Sequence, residues 1–375
     1  MTHLPRPEID PDGLLEYSVV FTDRSLNHMS QRFISVAQET LQILTSTYRA
    51  DSVALIPGGG TAAMEAVARQ LFTGKKVLIL RSGLFTFRWS QIIETGSITD
   101  QVTVLNAQPT SSGQTPSFAP PSLDDVSAVA ESFAPDIIVT AHTETAAGLT
   151  LPPEYLSGLG DIARRTGALF VLDCIAAGAD FPDMAETGID VLVSAPQKSW
   201  SGSPATGYVL LGERGRDAVT SSSSTSFTLD LKKWLEIFDG YRTGTVGYHV
   251  TLPTDTIAHN LEIMRESTEY GLDTLAQRQR ELGRRVREAA SERGFVSVAA
   301  EGFESNGVVV LYAKTPEQQS GAAFKPCGVQ IAAGVPLKIG EGDTYSSFRI
   351  GLFGLDKWDD PKAAAQRVID ALDRT

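Results

Sequence analysis

The chain has 375 residues, 42% hydrophobic and 21% charged, an ordinary balance for a folded protein with room for one large and one smaller domain. A formal net charge of −13 argues against nucleic acid and anionic membrane surfaces as partners, although a local arginine can still attract an anionic substrate. Cys174 and Cys327 form neither a disulfide framework nor a metal-ligand spacing, the opening MTHLPRPEIDPDG has no secretory pattern, and no apolar run is long enough to span a bilayer. The expectation is a cytoplasmic protein without a metal.

Residues 1–23 read as an N-terminal segment lying against the C-terminal domain or a partner subunit. From there short apolar strands alternate with amphipathic helices. Strands are expected at 52–56, 76–80, 102–105, 136–140, 168–172, 191–193 and 208–211, and helices at 31–45, 62–72, 87–95, 123–132 and 153–165. This alternation predicts an α/β fold, with a large domain over 24–253 built on a mostly parallel seven-stranded sheet covered by helices. After Pro253 the pattern changes. Ile257, Leu261, Met264, Leu272, Leu275, Leu282 and Val286 mark one long helix or two in tandem, closing before Gly294. Short strands at 308–312 and 347–350 and a last helix over 361–372 complete a smaller α+β domain, 254–375.

Chemistry-bearing residues fall where predicted strands end. The run VALIPGGGT places three glycines and Thr61 between a strand and a helix, where backbone amides and the helix N-terminus favour an anion and Thr61 can cap. A plain turn needing positive φ explains the glycines equally well. The same run fits G-x-G-x-x-A at Gly58, Gly60 and Ala63, but the next strand ends in Arg81-Ser82-Gly83 without the acid a dinucleotide ribose needs. It is not a Walker loop, since Lys75 and Lys76 are followed by Val77. Next, Phe85 is placed to stack on a flat ring, whereas Phe87 and Trp89 read as packing. In TAHTET, five of six positions are polar; Thr145 can bond a phosphate or a phenolic oxygen, Glu144 the amides of its own loop, and His142 reads either way. Then ALFVLD delivers Asp173 at a strand end, and the strand at 191–193 delivers Lys198 among small residues. Either can be a solvated loop residue alone. Together they suit pyridoxal phosphate: the lysine holds the aldehyde as a Schiff base, and the acid keeps the pyridine nitrogen protonated.

These motifs, in this order, resemble the class V (fold type I) pyridoxal-phosphate aminotransferases, most closely the alanine–glyoxylate and serine–glyoxylate group. The resemblance implies a transferase in which Gly59, Gly60 and Thr61 cradle the 5'-phosphate and Phe85 stacks on the ring. It also implies that Thr145 faces the cofactor and that Asp173 partners the pyridinium. Gln197-Lys198 matches the family's Gln-Lys pair with the Schiff-base lysine. The segment YHVTLP would bring Tyr248 and Thr251 to the phosphate of the other subunit, implying a homodimer with shared active sites. FRIGLFG supplies Arg349, whose guanidinium would bind the substrate carboxylate as a bidentate fork; inside an apolar strand, an arginine needs such a partner in any case.

The expected reaction is ping-pong transamination from an alanine- or serine-type amino acid to a 2-oxo acid such as glyoxylate or pyruvate. Two other enzymes stay open. One is a transaminase for a phospho or phosphonate amine, phosphoserine or 2-aminoethylphosphonate, with Arg81, Arg88 and Arg242 as extra charge. The other is a class V lyase or cysteine desulfurase, for which Cys327 is the only conceivable loop nucleophile. A cofactor-binding sensor domain is the non-enzymatic competitor, and no DNA-binding segment precedes the domain to favour it.

Overall fold

A computed structural model describes residues 5–375, so Met1–Leu4 at the head of the N-terminal segment lie outside it. Seven strands form the central sheet: β1 (Ser52–Pro57), β2 (Val77–Arg81), β3 (Val102–Asn106), β4 (Ile137–Ala141), β5 (Leu169–Asp173), β6 (Val191–Ser194) and β7 (Thr206–Leu211). Their order across the sheet is β1-β7-β6-β5-β4-β2-β3. Only β7 runs antiparallel to its neighbours, β1 and β6. Most of these strands read as unbroken apolar runs because helices cover both faces, and β1, β4, β6 and β7 are buried nearly end to end.

Helices α1 (Gln31–Tyr48), α2 (Gly60–Val67), α3 (Leu84–Thr95), α4 (Leu123–Phe133) and α5 (Pro153–Thr166) match the expected set, with earlier starts in α2 and α3 and later ends in α1, α4 and α5. The helix expected over 62–72 is α-helical only to Val67 and continues as a π-helical turn, Ala68–Phe72. The pattern after Pro253 resolves into two tandem helices, Thr254–Tyr270 and Leu272–Glu292, broken at Gly271, whose φ of 86° an L side chain rarely adopts. Ile257, Leu261 and Met264 of the first pack into the core of the large sheet. Leu275, Leu282 and Val286 of the second join a separate core with Phe348, Ile350 and Leu372.

That second core carries a three-stranded antiparallel sheet of β8 (Val308–Tyr312), β9 (Ala332–Ala333) and β10 (Ser347–Gly351), with β10 in the middle. Phe348 and Ile350 face its core, so strand alternation turns Arg349 to the other side. Leu26, just beyond the N-terminal segment, is tied to the start of the first tandem helix. The Leu26 amide donates to Asp255 Oδ1 (2.8 Å) and the Thr254 hydroxyl to Leu26 O (2.6 Å). No helix among the described residues is long and apolar enough to cross a membrane.

One glycine couples sheet and site. Gly207 of β7 pairs with Ile56, and a Cβ there would lie 2.5 Å from Ala63 Cβ and 2.6 Å from Gly59 O. Gly207→Ala is expected to cost about 1–3 kcal/mol by overpacking, read as a lower urea midpoint.

Candidate active site

The carboxyl ends of β1, β2, β4, β5 and β6 open on one edge of the sheet, where ligands of parallel α/β folds bind. β1 leads into Gly58 (φ 107°) and Gly59 (φ 86°), and α2 starts at Gly60. A Cβ on Gly59 would meet nothing within 4 Å, whereas one on Gly60 would lie 2.6 Å from Ile175 Cδ1. The turn is thus open above and pressed below against the residue two beyond Asp173. Thr61 does not cap the helix, contrary to expectation. Gly59 is the N-cap without a side-chain bond, and Thr61, two residues on, accepts a bond from Arg88 Nη1 (3.3 Å). The first turn carries no side-chain cap, which leaves its leading amides without a side-chain acceptor.

Asp173 ends β5 with 6% exposure, and Val193 of β6 pairs beside it in parallel register. Burial pushes its carboxyl up to about 6, against the pull of the Ile175 amide on Oδ1 (3.0 Å) and of the Lys198 charge. After β6 the one-turn helix α6 (Pro196–Ser199) carries Gln197 and Lys198. Burial holds the Lys198 amine below the ordinary lysine range; Asp173 opposes this, and Arg349 and Arg88 add to it.

Three cations converge on the Phe85 ring. Arg88 Cζ lies 5.2 Å from its centroid, Lys198 Nζ 5.6 Å and Arg349 Cζ 5.8 Å. Arg349 comes from the small sheet, its Nε fixed on Ala333 O at 2.8 Å. A residue of the small sheet thus meets the lysine after β6 at one aromatic ring. Gln197 Oε1 is buried here without a hydrogen-bond partner.

Thr145 and Glu144 are both buried on the loop after β4. Glu144 does bond its own loop through the Ala146 amide (3.0 Å), but it also reaches the amides of Phe85 (3.2 Å) and Thr86 (2.8 Å). The α3 start at Leu84, before the expected 87, follows from this remote cap. His142 Nε2 bonds Asp180 Oδ2 at 3.0 Å, and its amide donates to Asp173 O at 2.8 Å, so it ties the ends of β4 and β5.

Tyr248 and Thr251 stand apart in this chain. Their hydroxyls pair at 3.2 Å, and the Tyr248 ring, 56% exposed, packs 5.5 Å from His28. Of the three arginines considered for extra charge, only Arg88 joins the Phe85 group. Arg81 bonds Ser90 Oγ and Lys338 O, with its guanidinium on the Phe87 ring, and Arg242 bonds Asp51 O. Trp89 is fully buried against Phe72, which is the packing role expected of it. Burial pushes the Cys174 thiol well up, and Cys327 ends a 3-10 turn packed on the small core.

No family model matches the chain. It is 26% identical over 333 residues to a 2-aminoethylphosphonate–pyruvate transaminase of Vibrio cholerae, covering 86% of this chain and 83% of that protein. Among solved structures it resembles ureidoglycine–glyoxylate aminotransferase of Bacillus subtilis, with a TM-score of 0.77, 21% identity and coverage of 95% and 87%. An alanine–glyoxylate aminotransferase from Nostoc sp. gives 0.77, 22%, and 92% and 87%. The fold expected from the sequence is the fold these structures share.

Proposed function

We infer that the chain is a class V, fold type I aminotransferase that uses pyridoxal 5'-phosphate. The observation that carries the reading is the meeting of Lys198, Arg349 and Phe85 beside the buried Asp173. The residues suit this cofactor. An open glycine turn and an uncapped helix start suit a phosphate, a buried acid suits a protonated ring nitrogen, and the unpartnered Gln197 Oε1 suits a hydroxylated ring.

In this reading Gly59, Gly60 and Thr61 hold the phosphate, Phe85 covers the ring face, and Thr145 and Gln197 bond its edge. Once bound, the cofactor supplies an aldehyde for the amino group and a ring that takes up electron density from the substrate carbon. Lys198 Nζ holds that aldehyde at rest and moves the proton taken from the substrate Cα. Its depressed basicity, caused first by burial, favours a neutral, nucleophilic amine. Asp173 is the buried anion for the ring nitrogen. Arg349, oriented by its Nε bond to Ala333 O, offers its two terminal nitrogens as a fork for the substrate carboxylate. The exposed Met29, Phe227 and Tyr248 support a homodimer in which Tyr248 and Thr251 reach the neighbouring subunit's phosphate. A cytoplasmic location and a division into segment 1–23, large domain 24–253 and small domain 254–375 complete the reading.

The donor is an amino acid of the alanine or serine type and the acceptor glyoxylate or pyruvate. A second donor, 2-aminoethylphosphonate, is favoured by the Vibrio cholerae relative and by Arg88 beside Arg349 on the same ring. Single-turnover absorption spectra of the cofactor-loaded protein with L-alanine, L-serine and 2-aminoethylphosphonate separate the two. The visible band is expected to bleach with a carboxylate donor and to return with glyoxylate or pyruvate. Bleaching by the phosphonate alone selects the second donor, and a protein that takes up no cofactor refutes the whole reading.

A further inference from the structure

Glu144 is 1% exposed and takes no part in the chemistry just described. Its two oxygens meet four donors. Oε1 accepts from the amides of Phe85 (3.2 Å) and Ala146 (3.0 Å), and Oε2 accepts from the amide of Thr86 (2.8 Å) and shares the Thr86 hydroxyl proton (2.9 Å) with Gly83 O (2.9 Å). Thr86 Oγ1 is itself taken as an acceptor by the amides of Ser82 and Gly83, so a carboxyl proton on Glu144 would have no acceptor. The bonding pattern is that of a carboxylate, although burial raises its carboxyl above the ordinary range against the pull of the Ala146, Thr86 and Phe85 amides. Gly83 is shaped to it, since a Cβ there would lie 2.6 Å from Glu144 Cδ.

This carboxylate is not in a salt bridge with any described residue, yet it lies within the field of the cations around Phe85. Its charge strengthens proton binding at both Lys198 and Arg349. A helix cap alone needs no net charge. A glutamine could supply one oxygen, but its NH₂ would face amide donors on the other side.

Resting on the transaminase reading above, we propose that Glu144 is a positioning residue of the reaction. It holds the Phe85 ring between Lys198 and Arg349 and supplies the buried negative charge against which those two cations are set. The charged groups that act on Lys198 are Asp173, Arg349, Arg88 and Glu144, and only Glu144 is also bonded to the backbone of Phe85.

Two variants separate charge from reach. Glu144→Gln removes the charge and turns an NH₂ toward one set of amide donors, whereas Glu144→Asp keeps the charge while withdrawing the oxygens from the α3 amides and so controls for the lost bonds. The first readout is the pH midpoint of Lys198 acetylation by acetic anhydride in the cofactor-free protein, measured by peptide mass spectrometry. In Glu144→Gln the midpoint is expected to fall by roughly half a pH unit or more, because a stabilising anion is lost. In Glu144→Asp it stays near the native value, while the cofactor dissociation constant from fluorescence titration rises several-fold. An unchanged midpoint in a folded Glu144→Gln protein overturns the charge role, and an unchanged dissociation constant in Glu144→Asp overturns the positioning role. If Glu144→Gln does not fold, the Glu144→Asp titration decides alone. Acetylation needs no cofactor, so it reads Glu144 even if the native protein binds no pyridoxal phosphate, the result that would sink the transaminase reading instead.

Discussion

A Lys198→Ala protein is expected to fold normally and to have lost transamination by at least about 10²–10⁴-fold, the range set by acid–base catalysis alone. The loss should be larger, since the same amine is also the nucleophile that holds the aldehyde. Nothing structural is forfeited with it. Lys198 sits in a one-turn helix, and its amine approaches the Phe85 ring rather than a carboxylate at salt-bridge distance. Burial lowers its proton affinity in the fold, with Asp173 only partly opposing. The unfolded chain therefore binds more protons in the alkaline range, and stability of the cofactor-free native protein rises with pH there. The alanine variant lacks that slope. Two measurements check this: single-turnover bleaching of the cofactor band, absent in the variant, and urea midpoints across the alkaline range, flatter in the variant. Normal turnover would remove Lys198 from the chemistry.

The sequence exposes the sheet clearly because its strands are buried on both faces and need no partner information to read as strands. It exposes Asp173 and Lys198 for a related reason: a charged residue at the end of such a run, or in the short loop after it, is conspicuous. What it hides is long-range. α3 begins three residues before the expected 87 because a carboxylate from beyond β4 caps it, and no local pattern near Leu84 announces Glu144. Thr61 looks like a helix cap, yet Gly59 holds that position and the hydroxyl is turned to Arg88. The π-helical turn after Val67 and the helices Glu213–Ser221 and Leu231–Arg242, which the apolar pattern did not single out, also depend on packing. Arg349 was legible as an arginine in a core strand, but its meeting with Phe85 joins residues far apart in the chain. Tyr248 and Thr251 stay outside the group within one chain.

Asp173→Asn should make the cofactor-free protein more stable and the enzyme far worse. In the fold, burial raises the Asp173 carboxyl from the ordinary 3.8 to about 6, the Ile175 amide and Lys198 offsetting only part of it. A raised value means that the contribution to stability is intact below 3.8 and is lost as pH rises through about 6. At 1.36 kcal/mol per pH unit, that difference is about 3 kcal/mol by neutral pH. Asparagine cannot ionise, and its Oδ1 can still accept the Ile175 amide. The variant should therefore gain up to about 3 kcal/mol over the native apoprotein at pH 7.5 and almost nothing at pH 4, measured by urea unfolding at both values. Turnover should fall on the order of 10²–10³-fold, the effect of removing one preorganised electrostatic partner. Equal stability at pH 7.5 would mean that Asp173 is not held as a buried, ionised acid. Equal turnover would mean that its charge serves no ring nitrogen. The two together test whether this position gives up stability for function, since a buried anion with one amide bond is costly until a positive partner arrives.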